Sequence, residues 1–214
     1  MRLVDKYKPT RLTDVVGNAK ALSRIDKAVD QNDGFGGLVL MLTGKTGNGK
    51  TLIADLIANA IGGDLYRPNC AAESEMNTSI ENLKRHIAVR SLYAPQSVYI
   101  LDEADRLAVD NIARLKVAID MIDRRRQEGR ECNVTVIFTT AQNTKYLTEK
   151  QKKHWDEFAS RCIQCEIDVL ASEMDKYFSD LTGGTVTDIS KRIKVQSMRA
   201  AWEWIDANDI DVVE

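Results

Sequence analysis

The chain has 214 residues, of which 43% are hydrophobic and 29% charged, and its formal net charge is −2. This composition is typical of a globular protein with one sizeable core, and the charge leaves no chain-wide basic surface for nucleic acid. No apolar run approaches the roughly 20 residues of a membrane-spanning helix, and the first nine residues lack the apolar stretch of a secretory signal. We therefore expect a cytoplasmic protein without a membrane partner.

The first 37 residues contain one predicted helix between two irregular segments. Residues 1–17 are polar and basic and are interrupted by Pro9. Asn18 is of a residue type that caps helices through its side chain. Apolar residues follow it at helical spacing: Ala21, Leu22, Ile25, Ala28 and Val29. Residues 31–37 contain three glycines and an Asn-Asp pair, which is typical of a loop.

A glycine-rich motif between a predicted strand and a predicted helix comes next. Residues 38–42 form a continuous apolar run, as expected of a buried parallel strand. Residues 44–51 then match the pattern G-x-x-x-x-G-K-[ST] at every fixed position. Strand, loop and helix in this order direct backbone N–H groups and a helix N-terminus at one anion. The predicted phosphate-binding residues are Gly44, Lys45, Thr46, Gly47, Asn48, Gly49, Lys50 and Thr51.

Strands and helices continue to alternate after this motif. Further strands are predicted at about 64–69, 97–101, 133–140 and 162–167, with helices between them at 80–88, 111–123 and 145–158. This alternation predicts an α/β fold, a parallel sheet with helices on both faces. Beyond Asp168 only helices are predicted, at 171–181, 187–194 and 197–207. We therefore expect a nucleotide-binding core over residues 1–168 and a short helical lid over residues 169–214.

Two acidic residues, Asp102 and Glu103, end a predicted apolar strand downstream of the glycine-rich motif. In a phosphate-binding site of this kind Lys50 reaches the β- and γ-phosphates of the bound nucleotide, and the Thr51 hydroxyl binds Mg²⁺. Asp102 is then expected to help hold the Mg²⁺, and Glu103 to orient the water that attacks the γ-phosphate. The combination predicts Mg²⁺-dependent hydrolysis of a nucleoside triphosphate, which the resemblance described next implies to be ATP.

Short segments in a defined order give the chain a family resemblance. They are Lys6-Tyr7-Lys8-Pro9 through Asp14-Val15-Val16-Gly17, Asp102-Glu103-Ala104-Asp105, Ser160-Arg161-Cys162 and Ser197-Met198-Arg199-Ala200. In that order they resemble the opening segment, the Walker B motif, the Ser-Arg-Cys motif and the sensor 2 segment of the AAA+ ATPases. Within that family the clamp-loader subunits are the most similar. The resemblance runs from residue 6 to about residue 201.

The resemblance implies a fold and a set of site residues. The implied fold is a P-loop AAA+ core with a five-stranded parallel sheet in the order 5-1-4-3-2 and a small all-helical lid. Tyr7, Lys8, Val15 and Val16 would line the adenine pocket, although core packing also explains the two valines. Either Thr140 or Asn143 would be sensor 1, the polar residue beside the γ-phosphate. Asn69 would be a partner of the catalytic glutamate or a turn residue.

Two arginines have implied roles at the phosphates. In clamp loaders the arginine that corresponds to Arg161 acts in trans on the ATP of the neighbouring subunit, so the resemblance implies self-association or assembly with related AAA+ subunits. A planar guanidinium suits the charge of a transferring phosphoryl group. Arg199 would act in cis from the lid. The alternatives are a surface arginine at Arg161 and an i,i+4 pair between Arg199 and Glu203.

A basic cluster lies at the end of a predicted helix and consists of Arg124, Arg125, Arg126 and Arg130. Such a cluster is compatible with DNA binding, and the resemblance adds a sliding clamp as a possible partner. Cations in the last turn of a helix also favourably oppose its dipole.

The end of the chain departs from the clamp-loader pattern. Because the sequence stops at Glu214, after a short lid that contains Trp202 and Trp204, we expect it to lack the helical collar domain of clamp loaders. Other clients thus remain open: a helicase loader, a protein remodeller, or a nucleotide-gated assembly or DNA-binding module with little turnover. A single C-x-x-C pair, Cys162 and Cys165, is expected to be buried thiols rather than a zinc site.

Overall fold

The computed structural model describes residues 2–88, 96–141 and 149–213. The helices in these residues are α1 (Leu3–Lys6), α2 (Ala19–Gln31), α3 (Lys50–Ile61), α4 (Glu73–Ala88), α5 (Val109–Gln127), α6 (Glu149–Ala159), α7 (Ala171–Leu181), α8 (Ile189–Arg192) and α9 (Met198–Ala207). The strands are β1 (Val39–Thr43), β2 (Asp64–Tyr66), β3 (Ser97–Leu101), β4 (Val134–Thr140) and β5 (Ile163–Glu166). Within these ranges no helix has both the length and the apolar character required to cross a bilayer.

The five strands form one parallel sheet in the order β2-β3-β4-β1-β5. This is the predicted order 5-1-4-3-2 viewed from the other edge, so the predicted fold is confirmed. In the register Thr43 pairs with Thr140, and Leu101 pairs with Phe138. The carboxyl ends of the three central strands therefore meet at one edge of the sheet, where the phosphate loop begins.

Alternate residues of each central strand enter different hydrophobic cores. Val39 and Met41 of β1 belong to the core beneath α4, α5 and α6, whereas Leu40 and Leu42 belong to the core beneath α2 and α3. Because both faces are covered by helices, β1 is buried along its whole length. This explains why the sequence shows a continuous apolar run rather than an alternating one.

A third hydrophobic core joins the two ends of the chain. Its buried residues come from the segment 169–205, and they include Met174, Phe178 and Trp202. Leu3 and Tyr7 pack against the same core, and the backbone N–H of Leu3 donates to Asp206 at 3.3 Å. We keep the division at residue 168 as a proposal, but the first seven residues pack with the lid rather than with the core.

Several local predictions differ from the structure. Asn18 stands at the start of α2 but makes no capping hydrogen bond; its backbone is left-handed at φ 63° and its side-chain amide donates to the carbonyl of Val16. The predicted helix 187–194 is shortened to α8, and the predicted strand 64–69 ends at Tyr66. Trp202 is buried, and Trp204 is half-buried beneath the guanidinium of Arg192.

Candidate functional site

The phosphate loop connects β1 to α3 and requires glycine where it touches other backbone. Gly44 has φ 143°, and a Cβ there would lie 2.1 Å from the carbonyl oxygen of Ile167. Gly47 has φ 88°, and its Cβ would lie 2.9 Å from the hydroxyl of Ser197 in the lid. Any side chain at these positions would displace the loop from β5 or from the lid.

The ammonium of Lys50 lies over this loop. It donates to the carbonyl oxygens of Gly44 at 2.8 Å and Lys45 at 2.9 Å. Burial lowers the pKa of Lys50; the carboxylates of Asp105 and Asp102 oppose that shift, and the positive charge of Arg199 adds to it. Two cations, one from the core and one from the lid, therefore face the same space. An anion between them would relieve both the repulsion and the cost of burial.

The predicted metal residues lie together at the end of β3. The Thr51 hydroxyl donates to Oδ1 of Asp102 at 3.0 Å. The same oxygen accepts a second hydrogen bond, of 2.6 Å, from the hydroxyl of Thr139 in β4. The guanidinium of Arg67 lies 3.6 Å from Oδ2 of Asp102 and is also paired with Asp55. The carboxylate is thus fixed from both sides.

Glu103 has a backbone conformation that is uncommon for its residue type. Its φ is 52°, in the left-handed region that non-glycine residues rarely adopt. Its backbone N–H donates to the Thr139 hydroxyl at 3.2 Å, which stabilises the turn. Its carboxylate forms an ion pair of 2.8 Å with Arg106, and both side chains are more than 60% exposed. An ion pair this exposed is easily exchanged for another partner.

A cleft of about 670 Å³ lies between the core and the lid. Its volume is typical of a nucleotide-sized ligand. Residues predicted to bind nucleotide line it, namely Tyr7, Lys8, Val15, Val16, Thr46, Gly47, Asn48, Gly49, Lys50, Thr51, Glu103 and Arg199. The ring of Tyr7 stacks on that of Trp202, with centroids 5.7 Å apart and planes 9° apart, so the two chain ends form one wall.

Two buried side-chain oxygens in the lining have no hydrogen-bond partner among the described residues. They are Oδ1 of Asn18 and Oδ1 of Asn48, in side chains that are 5% and 2% exposed. In each case the amide nitrogen is occupied, by the carbonyl of Val16 or by the carboxylate of Asp168 at 3.1 Å, which fixes the amide orientation. Unpaired buried acceptors are rare and are expected where a ligand or a water binds.

The resemblance leaves Thr140 and Asn143 as alternatives for sensor 1. Asn143 lies outside the described residues. Thr140 is buried at the end of β4, but it is the hydroxyl of its neighbour, Thr139, that contacts Asp102 and lies in the cleft. Sequence reasoning missed Thr139 because only the β3–β4 register decides which of two adjacent threonines faces Asp102. Asn69 accepts from the N–H of Ala71 at 3.0 Å, as a turn residue does.

Arg161 lies at the edge of the sheet that is formed by the amino ends of the strands, opposite the edge that carries the phosphate loop. It precedes β5, whose first residue, Ile163, pairs with Leu40 near the start of β1. The five residues of β1, at about 3.3 Å each, put roughly 16 Å between that edge and the loop. The guanidinium of Arg161 is held by Asp120 of α5 at 2.8 Å and by the carbonyl of Glu157 at 2.6 Å. Arg161 is therefore too far away to reach the phosphates of its own chain.

The basic cluster is also at this opposite edge. Arg126 packs beside Gly37, which precedes β1. Arg125 donates to the carbonyl oxygens of Glu131 and Ala88. It therefore connects the end of α5 to the segment that follows it and to the last residue of α4. Arg126 and Arg130 have acidic neighbours, at 4.0 Å from Asp123 and 3.2 Å from Glu128 respectively. Arg125 thus stabilises the end of its helix, one of the two roles considered for the cluster, while Arg124 is exposed.

All four thiols are buried, as expected for Cys162 and Cys165. Burial raises the pKa of Cys162 to about 12 and that of Cys165 to about 11. Thiols with such values stay protonated at neutral pH and are poor nucleophiles and metal ligands.

A comparison with protein families identifies the chain. The model of the ATPase family associated with various cellular activities (AAA) matches residues 40–158, more than half of the sequence. The chain belongs to the AAA family. The matched segment extends from β1 to α6 and includes the phosphate loop, Asp102 and Glu103.

Among individual proteins, this AAA chain is similar to replication factor C small subunits. It is 30% identical over 138 residues to that of Methanothermobacter thermautotrophicus, covering 61% of this chain and 41% of the relative. It is 27% identical over 182 residues to that of Haloarcula marismortui, covering 80% and 52%. The chain thus spans about half or less of the length of these relatives.

Solved structures support the fold of this AAA chain independently of sequence. A variant of RuvB from Thermotoga maritima superposes with a TM-score of 0.64 over 97% of this chain and 69% of that protein. The sequences are only 16% identical, so this likeness concerns the fold.

Proposed function

We propose that this chain binds ATP between its core and its lid and hydrolyses it with Mg²⁺, as one subunit of an assembly that resembles a replication clamp loader. The carrying observation is the 3.0 Å hydrogen bond between Thr51 and Asp102, beside a loop where Lys50 faces Arg199. The Thr51 hydroxyl and the Asp102 carboxylate together suit a hard cation such as Mg²⁺. The neighbouring cations Lys50 and Arg199 suit phosphates.

The residues present fit Mg²⁺. Thr51 and Asp102 supply oxygen donors, which Mg²⁺ prefers along with retained waters. When bound, the ion would neutralise negative charge on the β- and γ-phosphates. Thr139 and Arg67 would keep the Asp102 carboxylate oriented, because each already contacts one of its oxygens.

The cleft also fits ATP. On binding, Lys50 would exchange its two carbonyl partners for phosphate oxygens, and the loop glycines would let backbone N–H groups approach them. Val15, Val16 and Tyr7 give the far end of the cleft an apolar lining suited to a base. The unpaired oxygens of Asn18 and Asn48 mark polar positions in the same lining.

Glu103 is the proposed general base. Its carboxylate would leave Arg106 and accept a proton from the attacking water, while Thr139 holds the turn that carries it. In Glu103→Gln we expect ATP binding to persist and the hydrolysis rate to fall by about a hundredfold or more. Measurements of nucleotide affinity and of phosphate release separate these effects. Asp110→Asn, at an exposed residue of α5, is the matched control; unchanged hydrolysis in Glu103→Gln would exclude Glu103 as the base.

Arg161 is proposed to complete the ATP site of a neighbouring subunit. The support is its position at the far edge of the sheet, where its own phosphate loop is out of reach. An arginine supplied to a phosphoryl-transfer site from another chain accelerates hydrolysis by roughly a thousandfold or more in well-studied cases.

A mixing experiment tests this shared site. Glu103→Gln subunits would lack the base but keep Arg161, and Arg161→Ala subunits would lack the arginine but keep the base. Each alone should hydrolyse ATP slowly, whereas an equimolar mixture should regain activity because one kind of subunit supplies what the other lacks. If the mixture is no more active than its components, Arg161 does not act in trans.

The client is proposed to be a sliding clamp on DNA, which rests on the resemblance to clamp-loader subunits and on the similarity to replication factor C small subunits. The test is stimulation of ATP hydrolysis by DNA in Arg124→Gln/Arg130→Gln, with Arg125 left in place because it closes α5. Loss of stimulation there, with no loss in the surface control Arg24→Gln, supports DNA as a ligand. Stimulation that survives in Arg124→Gln/Arg130→Gln excludes these two arginines as the DNA contact, and its absence in the unaltered protein argues against DNA as a ligand.

A further inference from the structure

The Arg161 side chain makes two hydrogen bonds, one to a residue of α5 and one to a residue of α6. Its Nε donates to Oδ1 of Asp120 at 2.8 Å, and one terminal nitrogen donates to the backbone carbonyl of Glu157 at 2.6 Å. The Arg161 side chain is 32% exposed and that of Asp120 is 51% exposed. The guanidinium is therefore oriented within its own subunit before any neighbour arrives.

The two contacts leave part of the guanidinium unused. A guanidinium has five N–H donors in one plane. Asp120 takes the Nε–H and Glu157 takes one terminal N–H, so within residues 2–88, 96–141 and 149–213 three terminal N–H groups have no acceptor. The fork that recognises phosphate oxygens is kept available while its plane is fixed.

We propose that Asp120 is a positioning residue for Arg161: it orients the guanidinium toward the ATP of the adjoining subunit. This inference rests on the proposed shared site. An unrestrained arginine side chain loses conformational entropy about several rotatable bonds when it binds a phosphate. The pair with Asp120 removes much of that freedom in advance, and displacement of a catalytic group by about 1 Å can reduce a rate by roughly a hundredfold.

A sequestering role for Asp120 leads to the opposite expectation. If the pair had to break before Arg161 reached the phosphate, removal of the carboxylate would raise hydrolysis. Asp120 binds the Nε side and leaves the terminal fork available, so the pair and the phosphate contact are compatible. The direction of the rate change therefore distinguishes the two roles.

The experiment places the change in the subunit that donates Arg161. Glu103→Gln donors, with or without Asp120→Ala, are mixed with Arg161→Ala subunits, and the hydrolysis regained is measured against ATP concentration. We expect Asp120→Ala to lower the regained kcat about tenfold with little change in KM, because ATP is bound by the other subunit. Asp120→Asn keeps an acceptor for the Nε–H and should recover part of the loss.

A matched control is available one turn earlier on α5. Lys116 forms an ion pair of 2.6 Å with the Glu157 carboxylate between the same two helices, whereas Arg161 donates to Asp120 and to the backbone carbonyl of Glu157. Donors with Lys116→Gln should restore activity fully, and circular dichroism should show each donor variant folded.

The outcomes separate the inference from the proposed function. If donors with intact Asp120 restore no activity, the shared site is wrong and the role of Asp120 fails with it. If they restore activity and Asp120→Ala donors restore as much or more, only the positioning role is overturned. An equal loss with Lys116→Gln would also overturn it, because the effect would then belong to the α5–α6 contact in general.

Discussion

The backbone N–H of Arg199 donates to the carbonyl oxygen of Gly47 at 3.3 Å, so the first turn of α9 is tied to the phosphate loop. The contact is possible because Gly47 has no side chain to hold Ser197 away. Among the described residues, the Arg199 side chain makes no ion pair, with Glu203 or any other acid. Its charge instead contributes to lowering the pKa of Lys50.

Replacement of Arg199 by alanine should weaken nucleotide binding without unfolding the lid. The contact with Gly47 uses the backbone and would remain, while the cation facing Lys50 is lost. We expect the affinity for ATP to fall about tenfold, the effect of losing one charge-assisted contact. The thermal midpoint without nucleotide should not fall. Titration calorimetry and thermal melts check both, with Arg192→Ala as a lid control; equal affinities for the two variants would contradict the prediction.

The hydroxyl of Thr139 should matter more for hydrolysis than for binding. Thr139→Val keeps the shape but removes the group that donates to Asp102 and accepts from the N–H of Glu103. We expect kcat to fall about tenfold or more, because the turn that carries Glu103 loses its support. Thr135→Val is the control, since its hydroxyl donates to the carbonyl of Phe35 away from the cleft. A lower stability with unchanged kcat is expected there; an unchanged kcat in Thr139→Val would refute the role.

The fluorescence of Trp202 should report nucleotide binding. Its ring lines the cleft and stacks on Tyr7, so a bound base would change the surroundings of both rings. We expect ATP to change the emission of the unaltered protein. The same change is expected in Trp155→Phe, because Trp155 is buried in the core beneath α4, α5 and α6 and does not report on the cleft. The change should disappear in Trp202→Phe. A signal that persists in that variant would show that the base lies elsewhere.

The buried thiols predict a loss of stability in alkali. The pKa of Cys165 is raised by burial from its ordinary value of 9.0 to about 11, so the folded state favours the protonated thiol. The stabilisation is complete below pH 9 and is lost as the pH rises toward 11, since the unfolded chain releases the proton first. Urea unfolding at several pH values gives the free energy of unfolding as a function of pH. Between pH 9 and 11 this free energy should fall less steeply in Cys165→Ala than in the unaltered protein, by about 1.4 kcal/mol per pH unit. Ile163→Val, in the same strand, should keep the slope of the unaltered protein.

Much of the fold was predictable because local patterns and tertiary packing agree. The apolar run around Leu40 is buried on both sides, and the buried residues of α3 and α5 recur along the sequence at helical spacing. The pairing of Thr51 with Asp102 was predictable as well, since parallel strands end at one edge. Each of these inferences needs only the order of the elements and the position of a residue within its element.

The remaining features depend on contacts between distant segments. The choice between Thr139 and Thr140 requires the register of β4 against β3. The partner of Arg161 requires the packing of α5 on α6, across 41 residues of sequence. Asn18 is of a capping residue type, but its left-handed backbone turns the amide toward Val16 instead. Local propensity carries no information on any of the three.

The stack of Tyr7 on Trp202 has a consequence for the order in which the protein forms during synthesis. The two rings belong to one wall of the cleft but are synthesised far apart in time, as are Leu3 and Asp206, 203 residues apart. At about 5–20 residues per second, a ribosome needs roughly 10–40 s to pass from the first ring to the second. The sheet can therefore assemble while Tyr7 still lacks its partner, and the cleft closes only once α9 has left the exit tunnel.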